Sequence, residues 1–164
     1  MRLSNALRNA GLVVLCVSFG QALAGQSAPP VPAVPADDAI PAKHLMLPEE
    51  LVPLLGKTGA DKPLVLQVGP HVFYAEAHPP GAEYAGAGNS ESGLQALRDR
   101  VKSLPHDRFV VLYCGCCPWK KCPNVHPAYQ QLASLGFHNV KVLYIADNFG
   151  KDWVAKGYPV EKGR

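Results

Sequence analysis

Four cysteines fall within nine positions, Cys114, Cys116, Cys117 and Cys122, in the stretch VVLYCGCCPWKKCP that runs from Val110 to Pro123. A fifth, Cys16, stands alone near the amino terminus. Clustered thiols can do two kinds of chemistry. A thiolate is a nucleophile toward sulfur donors and disulfides, and a set of thiolates binds soft metal ions such as Cu(I) or Zn(II). Cys114 to Cys117 is also a Cys-x-x-Cys, a spacing suited to reversible thiol–disulfide exchange. Covalent stapling is the weaker motive. The longest bridge, Cys114–Cys122, would stabilise the fold by about 2.6 kcal/mol, against about 4.7 kcal/mol for a loop of about a hundred residues. A metal site of all four cysteines would have to be wrapped by one short loop, whereas structural zinc sites join separated ligand pairs. No Cys-x-x-Cys is followed by His, which excludes c-type haem attachment there.

The flanking residues place these thiols. RFVVLY reads as a buried strand ending at Cys114. HPAYQQLASLGF reads as a helix that starts near Asn124 and stops at Gly136. The cysteines are therefore expected at the carboxyl end of a strand, ahead of a helix N-terminus, where open α/β sheets bind ligands. Backbone N–H groups and the helix dipole favour an anion there. The same field is expected to lower the pKa of Cys114, the candidate nucleophile, with Lys120 and Lys121 adding to it. Each lysine is equally at home as a solvated charge. Gly115, Cys116, Cys117, Trp119, Lys120 and Lys121 form the expected active loop. Cys117, Cys122 and Cys116 are candidate resolving thiols, Cys117 preferred for its spacing. Trp119 is either a contact for a partner or a lid over the thiols. His78 is expected to fix a turn, and His126 to open the helix.

The rest of the chain supplies a scaffold. LPEELVPLL has Pro48 at a first helical position and is expected to be interrupted or kinked near Pro53. PLVLQV and NVKVLYI read as strands, GLQALRDRVKSL as an amphipathic helix and FGKDWVAKGYP as a short final helix. HPPGAEY is a turn entering an extended piece. Strands alternating with helices predict an α/β domain with a mainly parallel sheet covered on both faces. Residues 1–24, with Arg2, Arg8, an apolar run and a small-residue site at Ala24, predict a secretory signal peptide and a periplasmic or secreted location. Residues 25–43 are rich in Pro and Ala and predict a semi-rigid linker ahead of a domain over 44–164. Loss of Arg2 and Arg8 takes the net charge from +3 to +1, which argues against nucleic acid or an anionic membrane surface as partner.

In order and spacing, LPEEL, PLVLQV, HPPGAEY, VVLYC and the closing LASLGFHNVKVLYIADNFGKDWVAKGYPVEKG resemble a single-domain rhodanese, a sulfurtransferase. The resemblance covers about residues 44–164. It implies that Cys114 attacks the outer sulfur of a small sulfur donor and becomes a persulfide, then passes that sulfur to a thiol acceptor. No resident cofactor is implied, and a periplasmic redox or protein partner is compatible with it. Two departures stand out. Gln67 and Gly69 occupy the region where the family usually has Asp and Arg, so a bracing Asp–Arg contact is missing. The loop is about four residues longer than is typical, and Pro118 and Pro123 remove two N–H donors from it. Two other enzyme classes share the strand–Cys–helix layout. A thioredoxin-like oxidoreductase does not account for LPEEL or HPPGA. A cysteine phosphatase needs a loop arginine, and none lies between Arg108 and Arg164.

Overall fold

The computed structural model describes residues 40–163; the expected signal peptide, most of the linker, and Cys16 lie outside the described residues. Packing begins ahead of the expected domain start at His44. Ile40 is fully buried, and Ala42–His44 form a 3-10 turn. The ten main elements are β1 (Leu45–Met46), α1 (Pro48–Leu55), β2 (Leu64–Gln67), α2 (His71–Glu76), β3 (Glu83–Tyr84), α3 (Glu91–Val101), β4 (Val110–Tyr113), α4 (Val125–Ser134), β5 (Val140–Leu143) and α5 (Phe149–Asp152).

The five strands form one sheet in the order β1-β5-β4-β2-β3, and every pairing is parallel. β4 lies at its centre, with Leu64 opposite Val110 on one side and Val110 opposite Val140 on the other. Both faces are covered, so β2 and β4 are buried at every position, and this is why they read as unbroken apolar runs. Side chains of β4 alternate. Val110, Leu112 and then Cys114 face a core built with Leu97 and Val101 of α3 and Leu132 of α4. Val111 and Tyr113 face a second core with Leu51, Tyr74 and Trp153. The parity of the strand thus sends Cys114 toward α4.

Local chemistry explains most boundaries. Glu50 accepts a hydrogen bond from the Leu47 N–H at 2.6 Å, and Pro48 occupies the first turn of α1. Of the expected interruption or kink, the interruption does not occur: α1 runs continuously through Pro53. In so short a helix Pro53 removes a single backbone bond, and the buried Leu51 holds the helix on the sheet. Ser90 caps α3 by accepting from the Gly93 N–H. Two elements are additional to the sequence reading, β1 and α2. His78 does fix its turn. It is buried, stacks on Tyr74 with ring centroids 4.1 Å apart, and forms an antiparallel bridge with Glu161 that fastens the closing segment.

Candidate active site

The chain leaves β4 at Cys114, which is 3 % exposed. Gly115 follows with φ +72°, and a Cβ there would sit 2.8 Å from Cβ of Phe149, so only glycine makes this reversal without strain. The Phe149 N–H then donates to the Gly115 carbonyl at 2.9 Å. Cys116 and Cys117 follow, each partly exposed, and a 3-10 turn over Trp119–Lys121 returns the chain to Cys122 and the start of α4.

All four thiols are free and meet in one cluster. Sγ of Cys114 lies 3.1 Å from Sγ of Cys116, which lies 3.3 Å from Sγ of Cys117. Cys122 acts electrostatically on both Cys114 and Cys117. The thiol in direct contact with Cys114 is Cys116, and the preferred Cys-x-x-Cys partner, Cys117, is in contact with Cys116. A tetrahedral thiolate cage with metal–sulfur bonds of about 2.3 Å has sulfur–sulfur edges of about 3.8 Å. The two sulfur contacts through Cys116 are shorter than that, and among the described residues no group of three or more Cys, His, Asp and Glu is disposed to hold a metal ion.

The charge does not sit where the sequence suggested. The backbone N–H groups of Asn124 and Val125, at the start of α4, point at Cys122. The Cys114 side chain, together with those N–H groups, lowers the Cys122 pKa to about 6. Cys114 moves the other way: the Cys122 side chain, and then burial, push its pKa far above the ordinary thiol range. The surroundings thus favour the anion on Cys122 and the proton on Cys114. Burial and contact with Cys116 push Cys117 up to about 12. The physical reason is position: Cys122 directly precedes the helix, whereas Cys114 ends an apolar strand. Lys120 and Lys121 are exposed, and neither contributes to these shifts.

Three residues complete the site. Asn124 is 2 % exposed; its Oδ1 accepts from the Asn89 N–H at 3.1 Å, which turns Nδ2 toward Cys114 Sγ at 3.4 Å. The Gln67 Nε2 donates to the Cys114 carbonyl at 3.2 Å, so Gln67 braces the strand end where an Asp–Arg contact was missed. A Cβ at Gly69 would lie 2.7 Å from Cys114 Sγ, so this glycine is the room for the sulfur. The sequence placed Asn124 at the helix start and no more; that position was its signal. Trp119 is buried, packs on Tyr144 with centroids 5.1 Å apart, and covers a small space lined by Cys114, Cys117 and Cys122. It is a lid rather than an exposed contact. His126 opens α4 as expected and packs on Trp119. On the far side of Gly115, a cleft of about 420 Å³ reaches Cys116.

No protein-family profile matches the chain, and no curated protein sequence matches it. Solved structures do. The rhodanese-like domain of the Alr3790 protein from Anabaena sp. superposes with a TM-score of 0.52 at 22% identity, over 73% of this chain and 79% of that one. A crystal structure of the Alr3790 protein gives 0.50 at 24% identity, over 68% and 77%. EanB in complex with hercynine gives 0.52 at 20% identity, over 72% of this chain and 27% of that one. The likeness is one of fold. The chain has a rhodanese-like α/β fold, a five-stranded parallel sheet with helices on both faces, as its resemblance implied.

Proposed function

We propose that this domain is a sulfurtransferase in which Cys114 carries sulfane sulfur as a persulfide and Cys122 is the resident thiolate that takes the Cys114 proton. The observation that carries this reading is the placement of Cys114 directly after β4, 3 % exposed, with its Sγ 3.1 Å from that of Cys116 and facing the Asn124 Nδ2 at 3.4 Å, in surroundings that favour the proton on Cys114 and the anion on Cys122. A thiol becomes a nucleophile when an adjacent base removes its proton. Here the base is a second sulfur, and the helix N-terminus pays for its charge. Once formed, the Cys114 persulfide anion faces the Asn124 Nδ2 and the Cys116 backbone N–H, donors already aimed at Cys114 Sγ. The substrates are a small sulfur donor and a thiol acceptor. The amino-terminal run supports a periplasmic or secreted setting, in which a reductant or protein partner would keep the thiols free.

Incubation of reduced protein with thiosulfate or another sulfane donor is expected to add the mass of one sulfur atom, mapped to Cys114 and discharged by cyanide. Failure of every loop cysteine to take up sulfur from any sulfane donor would defeat the proposal. The sulfur contacts around Cys114 support a linked redox reading: oxidation bridges Cys114 to a neighbouring thiol and blocks transfer until it is reduced. A thioredoxin-like reading has no such support, because the fold is rhodanese-like and every strand pairing is parallel.

A further inference from the structure

Cys114 is poorly placed to meet a substrate. Among the described residues it lines a space of about 10 Å³ beside Trp119, no larger than one water molecule needs. The cleft on the other side of Gly115 is of ligand size, about 420 Å³, and the cysteine on its wall is Cys116. That cleft is also where the chain leaves apolar surface exposed. Phe73 is 40 % exposed, Val154 42 % and Val160 39 %, three of the five large exposed hydrophobics among the described residues, and all three line it with Phe149. Glu76 and Lys162 add one charge of each sign. The cleft ends at Cys116, whose sulfur touches that of Cys114.

We propose that sulfur enters and leaves through Cys116, from a small sulfane donor with an aromatic or apolar body bound in this cleft, and that Cys114 is the buried store behind it. This rests on the sulfur-transfer reading and names its entry thiol and substrate class. The steps balance without an oxidant. Cys116 loses its thiol proton to solvent, and the thiolate attacks the outer sulfur of a donor such as benzenethiosulfonate. The donor's sulfur–sulfur bond breaks, benzenesulfinate leaves with the electron pair, and Cys116 holds the persulfide. Cys114, whose Sγ lies 3.1 Å from the Cys116 Sγ that bears the persulfide, gives its proton to Cys122 and attacks the outer sulfur. The Cys116 thiolate leaves and takes up the proton, and Cys114 holds the sulfur. Discharge to an acceptor thiol runs the same path in reverse, the acceptor's thiolate attacking the outer sulfur on Cys116.

The test uses the reduced full-length protein with benzenethiosulfonate and thiosulfate as probes. The parent should prefer the aromatic donor by at least about tenfold in kcat/KM, and Val160→Asp should erase about that factor from the ratio. Trapped Cys114→Ser should carry the added sulfur on Cys116 by peptide mapping, and Cys116→Ser should load Cys114 far more slowly than the parent. Loading of Cys116→Ser at the parent rate, absence of sulfur from Cys116 in Cys114→Ser, or equal use of the two donors overturns the relay while sulfur transfer stands. A parent that takes up no sulfur from either donor overturns both.

Discussion

Replacing Cys122 with Ser tests where the negative charge of the thiol cluster resides. In the parent the Cys122 pKa falls from 9.0 to about 6 through the Cys114 thiol and the N–H groups of Asn124 and Val125. A group with a lowered pKa loses its proton as the pH rises through the lowered value. At pH 7 a thiol of pKa about 6 is about 90% ionised, whereas an ordinary thiol of pKa about 9 is about 1% ionised. The shift corresponds to roughly 4 kcal/mol of preference for the anion. Serine cannot ionise in this range. Cys114 also loses the contact that raised its pKa most, but burial still opposes its charge. Thiolate absorbance at pH 7 should therefore drop by close to one thiolate per chain. Persulfide loading, deprived of its base, should slow by about 100-fold at pH 7 and keep rising with pH, where the parent levels off above about 6. A variant that retains one thiolate with a midpoint near the parent's would refute the assignment and put the charge on another sulfur.

Gly69→Ala should cost about 1–3 kcal/mol in a thermal melt and abolish Cys114 loading, because the added Cβ meets Cys114 Sγ at 2.7 Å; unchanged loading would show that the sulfur has room to move. Mild oxidation should bridge Cys114 to one of the thiols that act on it, Cys116 or Cys122, and peptide mapping that finds Cys114 joined to Cys117 instead would show that the loop rearranges first. Removal of copper and zinc by a chelator should leave cooperative unfolding of the reduced protein intact, since both cores are built from the sheet and its helices; a lost transition would make the metal reading the leading one.

The sequence made the frame of the site legible because its elements carry strong local patterns. Val110 to Tyr113 is an apolar run buried on both faces, and Leu94, Leu97 and Val101 recur at helical spacing, so the strand before Cys114 and the helix α3 could be placed. α2 escaped because its six residues span less than two turns and mix polar with aromatic side chains. β1 escaped because two residues hold no pattern, and only pairing with β5 makes them a strand. The electrostatics of the thiols escaped for a different reason. Spacing located four cysteines near a helix start, but which sulfur receives the N–H groups depends on the path of the loop. The same holds for Gln67 and Gly69. They looked like losses from a familiar pattern, and the fold shows them bracing and making room for Cys114.

Gly115 has a consequence for how this protein could change over generations. Cys114 belongs to the layer that includes α4, while the cleft beyond Gly115 is walled by α2, α5 and the closing segment. The two regions are joined at the sheet edge by the left-handed Gly115 and by Cys116, which lines the cleft and touches Cys114. If the cleft receives the donor as proposed, substitutions at Phe73, Val154 or Val160 would redraw what is recognised without touching Asn124 or Cys122. Specificity and reactivity would then be separable traits, free to drift independently as long as Gly115 and Cys116 between them are kept.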